Sequence, residues 1–360
     1  MTPERARELL DSFRDKRVLL VGDLMMDEWV MGTVKRISPE APIPVVAMPL
    51  HKEARAYRPG GAGNVAAILL ELGARVRAVG IVGDDELGER LLADLERRGA
   101  DVSGVLQDSS RPTSHKMRIL AGRQQLLRVD TESAEPLAEG LAAQVQARTT
   151  SGIDHADVVL IADYAKGVLS EVSFPPQVAA AARNAGVPLC ADPKPENMDL
   201  FRGAWLVSPN EAEALQAAGT GNAQVASDKE GNSYPDGPAA ATMRAGRALR
   251  ERLEAEAVFV TMGDRGIAVF PREAAVSLVP ARGSATLSSA AGPGVTAVGD
   301  GTGCGDAASA ASALALAAGA TFREAAELAD AAGGVVSRFV GVHSPQPSEI
   351  LAAFSSPKAD

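Results

Sequence analysis

The chain reads as an α/β protein, a doubly wound, mostly parallel sheet that carries a small β-sheet lid. Three observations predict this. Short apolar runs alternate with helix-length segments, the mark of parallel strands joined by crossover helices. Three successive runs, ending at Ala162, Ala191 and Val207, stop in polar clusters that would share one rim. Two stretches, about residues 28–58 and 112–131, hold strand-like pieces with no helical period between them.

Taken in order, Met1 to Lys16 is charged and amphipathic, without the apolar core of a signal peptide. Arg17 to Gly22 is a buried strand by its apolar run, and Asp23 and Asp27 follow where a parallel strand would end. Asp23 is equally a helix cap or turn former. Trp29 to Met31, Ile43 to Met48, Lys116 to Ala121 and Gln124 to Asp130 form the lid, the last two joined by a hairpin turn at Ala121-Gly122-Arg123. A sheet that small needs cover for its apolar face, from a closed substrate pocket or a partner subunit.

Pro59-Gly60-Gly61-Ala62-Gly63-Asn64 leads into a helix from Val65 to Gly73, with Asn64 as cap or ligand. Strand Val76–Val82, helix Glu86–Arg98 and strand Val102–Leu106 follow, then helix Pro136–Arg148 and strand Val158–Ala162, which ends at Asp163-Tyr164-Ala165-Lys166-Gly167. Helix Val178–Asn184 and strand Val187–Ala191 end at Asp192-Pro193-Lys194, and strand Ala204–Val207 ends at Ser208-Pro209-Asn210-Glu211-Ala212-Glu213. Each cluster alone is turn chemistry; three on one rim point to a site. Gly219–Ala239 and Gly283–Gly294 have loop composition. Between them lie helix Thr242–Glu254 and strands Ala257–Thr261, Ile267–Phe270 and Ala275–Val279; helices Phe322–Val340 and Ser348–Phe354 close the chain.

A net charge of −10, from 36 basic and 46 acidic residues, argues against a nucleic-acid binder. Two distant cysteines, Cys190 and Cys304, leave no disulfide framework or zinc spacing and suit a reducing cytosol. The apolar run Ala307–Ala318 is too short to span a bilayer. A cytoplasmic protein with no membrane association is expected.

The strongest chemical signal is Asp300-Gly301-Thr302-Gly303-Cys304-Gly305-Asp306, running into a helix of small residues. Its glycines let a backbone wrap a ligand closely. Gly303, Cys304 and Gly305 would present N–H groups at a helix start, an anion site, and the dipole would keep first-turn Asp306 charged as a proton acceptor. The plain alternative is a glycine turn whose Asp complements the dipole. No Lys-Ser or Lys-Thr closes the stretch, so it is not a P-loop, and Cys304 spoils the third glycine of a dinucleotide fingerprint.

Asp-x-Thr-Gly-x-Gly-Asp before a late helix resembles the signature of the ribokinase-like (PfkB) family of sugar kinases. The resemblance implies that Asp306 deprotonates the substrate hydroxyl while the amides of Gly303, Cys304 and Gly305 hold the transferring phosphoryl group. Gly60-Gly61-x-x-Asn64 resembles the family's sugar-binding signature and implies sugar contacts from Asp23, Asp27, Gly60, Gly61 and Asn64. Asn210-x-x-Glu213 resembles its element that orders Mg²⁺ through water. Thr261-Met262-Gly263-x-x-Gly266 resembles its nucleotide-side loop, with Asp330 near the base of ATP where relatives often have Asn. Asp300 and Thr302 are implied contacts for a monovalent cation such as K⁺. The resemblance implies one kinase domain over residues 1–360 and a homodimer through the lid.

Arg36-Ile37-Ser38-Pro39-Glu40-Ala41-Pro42-Ile43-Pro44-Val45-Val46, Gln124-Gln125-Leu126-Leu127-Arg128-Val129-Asp130, Asp163-Tyr164-Ala165-Lys166-Gly167 and Asp192-Pro193-Lys194 resemble a subfamily. It comprises the D-glycero-β-D-manno-heptose-7-phosphate 1-kinases of lipopolysaccharide core synthesis, and implies a sugar-phosphate substrate. The residues give their own reason for one. A phosphorylated sugar needs a cationic clamp, and lid and rim carry Lys35, Arg36, Lys116, Arg118, Arg123, Arg128, Lys166 and Lys194, beside Asp163. The alternative is that these cations solvate an edge strand or pair with acids. Against the family pattern, Cys304 replaces the usual Ala and the loops at Gly219–Ala239 and Gly283–Gly294 are long. No His-x-Gly-His element occurs at His51, His115, His155 or His343, so the nucleotidyltransferase module of some relatives is not expected. The rival readings are another sugar or nucleoside kinase of the family and a non-catalytic sugar or nucleotide sensor on the same fold.

Overall fold

A computed structural model describes residues 1–49, 55–122, 124–170, 173–174, 176–219, 238–282, 301–339 and 341–355. In chain order, α1 (Pro3–Asp11) and β1 (Arg17–Gly22) precede β2 (Leu24–Ile37), β3 (Pro44–Ala47) and β4 (Arg55–Gly61). Next come α2 (Ala62–Glu71), β5 (Arg75–Gly83), α3 (Glu86–Arg97), β6 (Asp101–Asp108), β7 (Ser114–Ala121) and β8 (Gln124–Thr131). Then follow α4 (Glu139–Ile153), β9 (Val158–Ala162), α5 (Pro176–Asn184), β10 (Leu189–Asp192), β11 (Leu206–Val207) and α6 (Glu211–Ala217). The remainder is α7 (Pro238–Leu253), β12 (Ala257–Thr261), β13 (Ile267–Pro271), β14 (Ser277–Val279), α8 (Cys304–Ala317), α9 (Phe322–Val336) and α10 (Pro347–Ser355).

The large sheet has nine strands in the order β14-β13-β12-β11-β10-β9-β1-β5-β6. Pairing is parallel from β6 to β12, and β13 and β14 add an antiparallel edge. Its central strands, such as β9 and β12, are apolar runs because both faces are covered. Val18 and Leu20 of β1 face one core, with α1, α2, α3, α8, α9 and α10, while Leu19 and Val21 face the other, with α4, α5 and α7. The doubly wound expectation holds.

Local chemistry sets the helix starts. Asp85 caps α3 by accepting from the Gly88 N–H at 2.8 Å, and Leu91 and Leu95, one turn apart, are buried. α9 opens with a capping box between Thr321 and Glu324. α8, built of Ala, Ser and Leu, has buried residues on every side. Small side chains let it lie between α2, α9 and the sheet.

The lid differs in extent from its expectation. It is a five-stranded sheet, β3-β2-β7-β8 with β4 also on β2, drawn from residues 24–61 and 114–131. Asp23 alone separates β1 from β2, and β4 runs to Gly61, through Pro59-Gly60-Gly61, a stretch expected only to lead into a helix. β4 pairs with β2 alone, and an edge strand tolerates Pro and Gly. α2 consequently starts at Ala62 rather than Val65, and Asn64 lies inside its first turn instead of capping it. Gly61 takes the N-cap position at φ 54°, a left-handed backbone that other residues adopt only at a cost. The strands expected at Ala204–Val207 and Ala275–Val279 shorten to β11 and β14, and the helix expected to reach Val340 ends at Val336. Arg123, the loop at Gly283–Gly294 and most of the loop at Gly219–Ala239 fall outside the described residues. Among the described residues no helix is long and apolar enough to cross a membrane.

Candidate active site

The carboxyl ends of β1, β9, β10, β11 and β12 meet the first turn of α8 beneath the lid. Gly303 sits at φ 82° as the N-cap of α8 and offers no side-chain cap; only glycine takes that conformation freely. Asp306 is thereby set in the first turn. Its carboxylate accepts from Asn64 Nδ2 at 2.5 Å and from the Tyr164 hydroxyl. Burial pushes the Asp306 carboxyl above the ordinary Asp value, those two bonds hold it down, and the charge of Asp27 pushes it up again. The same burial, with the Asp306 charge beside it, drives the Tyr164 phenol well above its ordinary value, so Tyr164 stays a donor.

The amides before Asp306 divide. Cys304 N–H donates to the Gly301 carbonyl at 3.3 Å. No protein acceptor among the described residues meets the N–H of Gly305 or of Asp306. A Cβ at Gly305 would meet nothing within 4 Å, so that corner is open to a ligand. Asn64 is 2 % exposed and spends Nδ2 on Asp306, and its Oδ1 is buried with no partner. An unpaired buried amide oxygen costs about 1–3 kcal/mol, and a ligand hydroxyl would relieve it.

Two cavities meet at Gly305 and Ala308. One, of about 120 Å³, is polar and lined by Asp192, Lys194, Asn210, Glu213, Asp306 and Ser309 among others. The other, of about 470 Å³, lies within the range of small-molecule sites. Thr261, Gly263, Gly266, Cys304, Asp330 and Gly333 help line it. Asp330 accepts from the Arg282 N–H at 2.7 Å, and burial pushes its carboxyl up to about 6.

The other acids of the rim do different work. Asp23 is 1 % exposed and accepts from the backbone N–H groups of Tyr164 (2.8 Å), Lys166 (3.2 Å) and Val168 (3.2 Å). Burial, with Asp163 nearby, pushes it up to about 6. Asp163 accepts from the N–H groups of Ala165 (2.8 Å) and Lys194 (2.9 Å) and from Asn197 Nδ2, and burial raises it too. Both carboxylates fold the loops at the strand ends, Asp23 in the turn-forming role that was its alternative. Asp163 also lines the cavity shared by Asp192, Lys194 and Asp306.

Asn210 and Glu213 form the capping box of α6, each bonding the other's backbone N–H at 2.9 Å. Lys194 Nζ reaches Glu213 Oε1 at 2.5 Å. Burial opposes its charge most strongly, but the Glu213 bond together with the charges of Glu213, Asp192 and Asp163 raises it overall. Among the described residues no three acidic, His or Cys groups cluster to grip a metal directly. Thr302 is at the mouth of the α8 loop, and Asp300 falls outside the described residues.

The lid contributes Asp27, which accepts from Arg118 at 2.6 Å, with Gly60 so close that a Cβ would lie 2.7 Å from Asp27 Oδ2. Register places Lys116 and Asp130 beside Asp27, and Arg118 and Arg128 beside Trp29, on one lid face. Arg128 bonds Asp130 at 2.8 Å, and Lys166 bonds Glu132 at 2.6 Å. The alternative of paired cations therefore holds for Lys116, Arg118, Arg128, Lys166 and Lys194. Arg36 is not brought to this site. It is exposed opposite Val45, nine residues along β2 from Asp27 and so about 30 Å away.

Three participants carried no role in the sequence reading: Tyr164, Glu132 and Asp192. Asp192 accepts from Ser309 Oγ at 2.8 Å; burial, then the charge of Glu213, pushes it up to about 7. Ser309 is three residues after Asp306, and that helical spacing was the available signal.

A family model described as pfkB family carbohydrate kinase matches residues 16–349. Curated relatives from Geobacter metallireducens and Pelobacter propionicus, each called bifunctional protein HldE, are 35% and 34% identical over 360 residues. The match covers all of this chain and 67% of each relative, so the chain spans about two-thirds of their length. Arabidopsis thaliana ribokinase complexed with ribose and ATP superposes with a TM-score of 0.64 at 21% identity, covering 95% of this chain and 100% of that one. Escherichia coli phosphofructokinase-2 in complex with potassium superposes with a TM-score of 0.69 at 18% identity, covering 95% and 98%. These structures share the ribokinase-like fold.

Proposed function

The chain belongs to the pfkB family of carbohydrate kinases, phosphotransferases acting on a sugar hydroxyl, and from that premise we propose that it phosphorylates the 1-hydroxyl of D-glycero-β-D-manno-heptose 7-phosphate. One observation carries the choice of centre. Among the described residues the Asp306 carboxylate is held by the side chains of Asn64 and Tyr164, beside N–H groups that meet no protein acceptor there. A carboxylate so placed takes the proton of an attacking hydroxyl. Asn64 Oδ1 receives a second sugar hydroxyl, and Asp27, oriented by its bond from Arg118, receives another.

ATP-Mg²⁺ supplies the transferable phosphoryl group. The residues fit it: the larger cavity suits a nucleoside, and the polar one collects Glu213, Asn210, Asp192 and Lys194. With no direct cage among the described residues, Glu213 and Asn210 would hold hydrated Mg²⁺ through water. Lys194 and the N–H groups of Gly305 and Asp306 oppose charge on the phosphoryl oxygens. The potassium of the Escherichia coli neighbour supports a monovalent cation near Thr302 and Asp300.

Leu127 (47 % exposed) and Val129 (40 % exposed) alternate along β8 with Arg128 and Asp130, on the lid face opposite the site. Uncovered apolar residues there support a homodimer through the lid. Cys190 and Cys304, neither of them in a disulfide among the described residues, support a cytoplasmic setting.

The substrate is tested by comparing kcat/KM for heptose 7-phosphate, ribose, fructose and fructose 6-phosphate. Charge-assisted bonds to phosphate of about 1.5–3 kcal/mol predict a preference of about tenfold to a hundredfold for the heptose phosphate over ribose and fructose. Faster use of an unphosphorylated sugar would overturn the substrate and leave the kinase. No turnover with any sugar would favour the sensor.

A further inference from the structure

The lid and the rim each send a lysine to one carboxylate. Lys116 Nζ, on β7, reaches Glu132 Oε2 at 2.9 Å, and Lys166 Nζ, on the loop after β9, reaches Glu132 Oε1 at 2.6 Å. The three side chains are 18 %, 19 % and 24 % exposed, for Lys116, Lys166 and Glu132 in turn, so the pairing is shielded but reachable. Lys116 also touches Asp130 at 3.2 Å, which Arg128 shares. Three cations therefore face two carboxylates.

The cluster lies on the same lid face as Asp27 and Arg118. Lys166 is two residues from Tyr164, whose hydroxyl touches Asp306. A sugar with its reacting hydroxyl at Asp306 would extend toward these lysines.

Glu132 is held differently from the acids beside it. Among the described residues its hydrogen bonds come from the two lysines. It follows the last residue of β8, in a segment without regular structure before α4. Asp23 and Asp163, by contrast, are fixed by backbone N–H groups. A side chain held at its tip alone can turn away without unfolding anything. A phosphate dianion brings more charge and one more acceptor oxygen than a carboxylate.

We propose that Glu132 is a displaceable occupant of a two-lysine anion clamp, vacating Lys116 and Lys166 when the phosphate of the substrate arrives. This rests on the sugar-phosphate reading and adds a specificity-determining residue to it. Glu132 sets a threshold: a neutral sugar cannot replace its charge, so the clamp stays shut to unphosphorylated substrates. Both lysines keep a partner in either state, and no bare cation is left buried.

The test needs two readouts on the full chain. The first is thermal protection by inorganic phosphate, without sugar or nucleotide. Glu132→Gln should be protected at about tenfold lower phosphate than the parent protein, and adding Lys166→Met should abolish the gain. The second is KM. Glu132→Gln should lower KM for the sugar phosphate about tenfold and leave KM for a neutral sugar within about twofold. Gained phosphate protection with no use of any sugar phosphate would uphold the clamp while the substrate reading falls. Unchanged phosphate protection with sugar phosphate still turned over would overturn the clamp and leave that reading standing. Were Glu132→Gln to unfold, Lys166→Met in the parent chain decides: lost phosphate protection upholds the proposal, and unaltered protection overturns it.

Discussion

Two sets of acids share this molecule, and they are held in opposite ways. At the strand ends, Asp23 and Asp163 are gripped mainly by backbone N–H groups of the loops they organise. At the first turn of α8 and on the lid, Asp306, Asp27 and Glu132 are gripped by side chains: Asn64, Tyr164, Arg118, Lys116 and Lys166. A backbone donor cannot leave without moving the chain, whereas a side-chain donor can exchange one acceptor for another. The first set builds the platform, and the second is free to meet a ligand.

The sharpest break between the sets is turnover. Asp306→Asn keeps the shape, accepts from Asn64 through its one oxygen and can donate to a turned Tyr164 hydroxyl, but cannot take a proton, so kcat should fall about a thousandfold with the melting temperature changed by only a few degrees. Asp163→Ala should do the reverse. It strands the Ala165 and Lys194 N–H groups and Asn197, costing about 3–5 kcal/mol in urea unfolding at constant m. A stability loss below about 1 kcal/mol would remove Asp163 from the platform.

Tyr164→Phe sharpens the comparison within the site. The hydroxyl bonds the charged form of Asp306 and lowers its proton affinity. Without it the carboxyl titrates higher still. The base must be deprotonated, so the acid limb of the kcat/KM profile should move to higher pH. A limb that stays in place would place the base elsewhere.

The smallest effect concerns Asp192. Its folded carboxyl, at about 7, lies above the unfolded value of 3.8. Between those values the folded state binds more protons, so this group's contribution to stability falls as pH rises through that window. Asp192→Asn should therefore raise the melting temperature by a few degrees at pH 8, an advantage that vanishes toward pH 4. An equal gain at both pH values would remove the titration from the explanation.

Much of this was legible from residue order. β9, β12 and β13 are short, buried apolar runs, and their composition and punctuation suffice. The α8 loop announces itself by its glycines, and Gly303 does need its left-handed backbone. The lid was harder to read. Pro59-Gly60-Gly61 looks like loop, but β4 is an edge strand, where those residues are tolerated. Partnership was not legible at all. Nothing in the order of residues tells that Asp23 serves a loop 141 residues away, that Glu132 gathers two lysines, or that Tyr164 reaches Asp306. Arg36 sits in a stretch that looked functional, yet the strand carries it far along the lid.

The central claim is that the side-chain-held acid, not the backbone-held ones, answers to substrate. Carbon-13 carboxyl spectra of aspartate-labelled protein test it directly, with Asp306, Asp163 and Asp23 assigned by their loss in single Asn variants. Titrating in sugar phosphate with a non-hydrolysable ATP analogue should shift the Asp306 resonance and leave those of Asp163 and Asp23 in place. A still Asp306 signal, with Asp163 or Asp23 moving instead, would contradict the account.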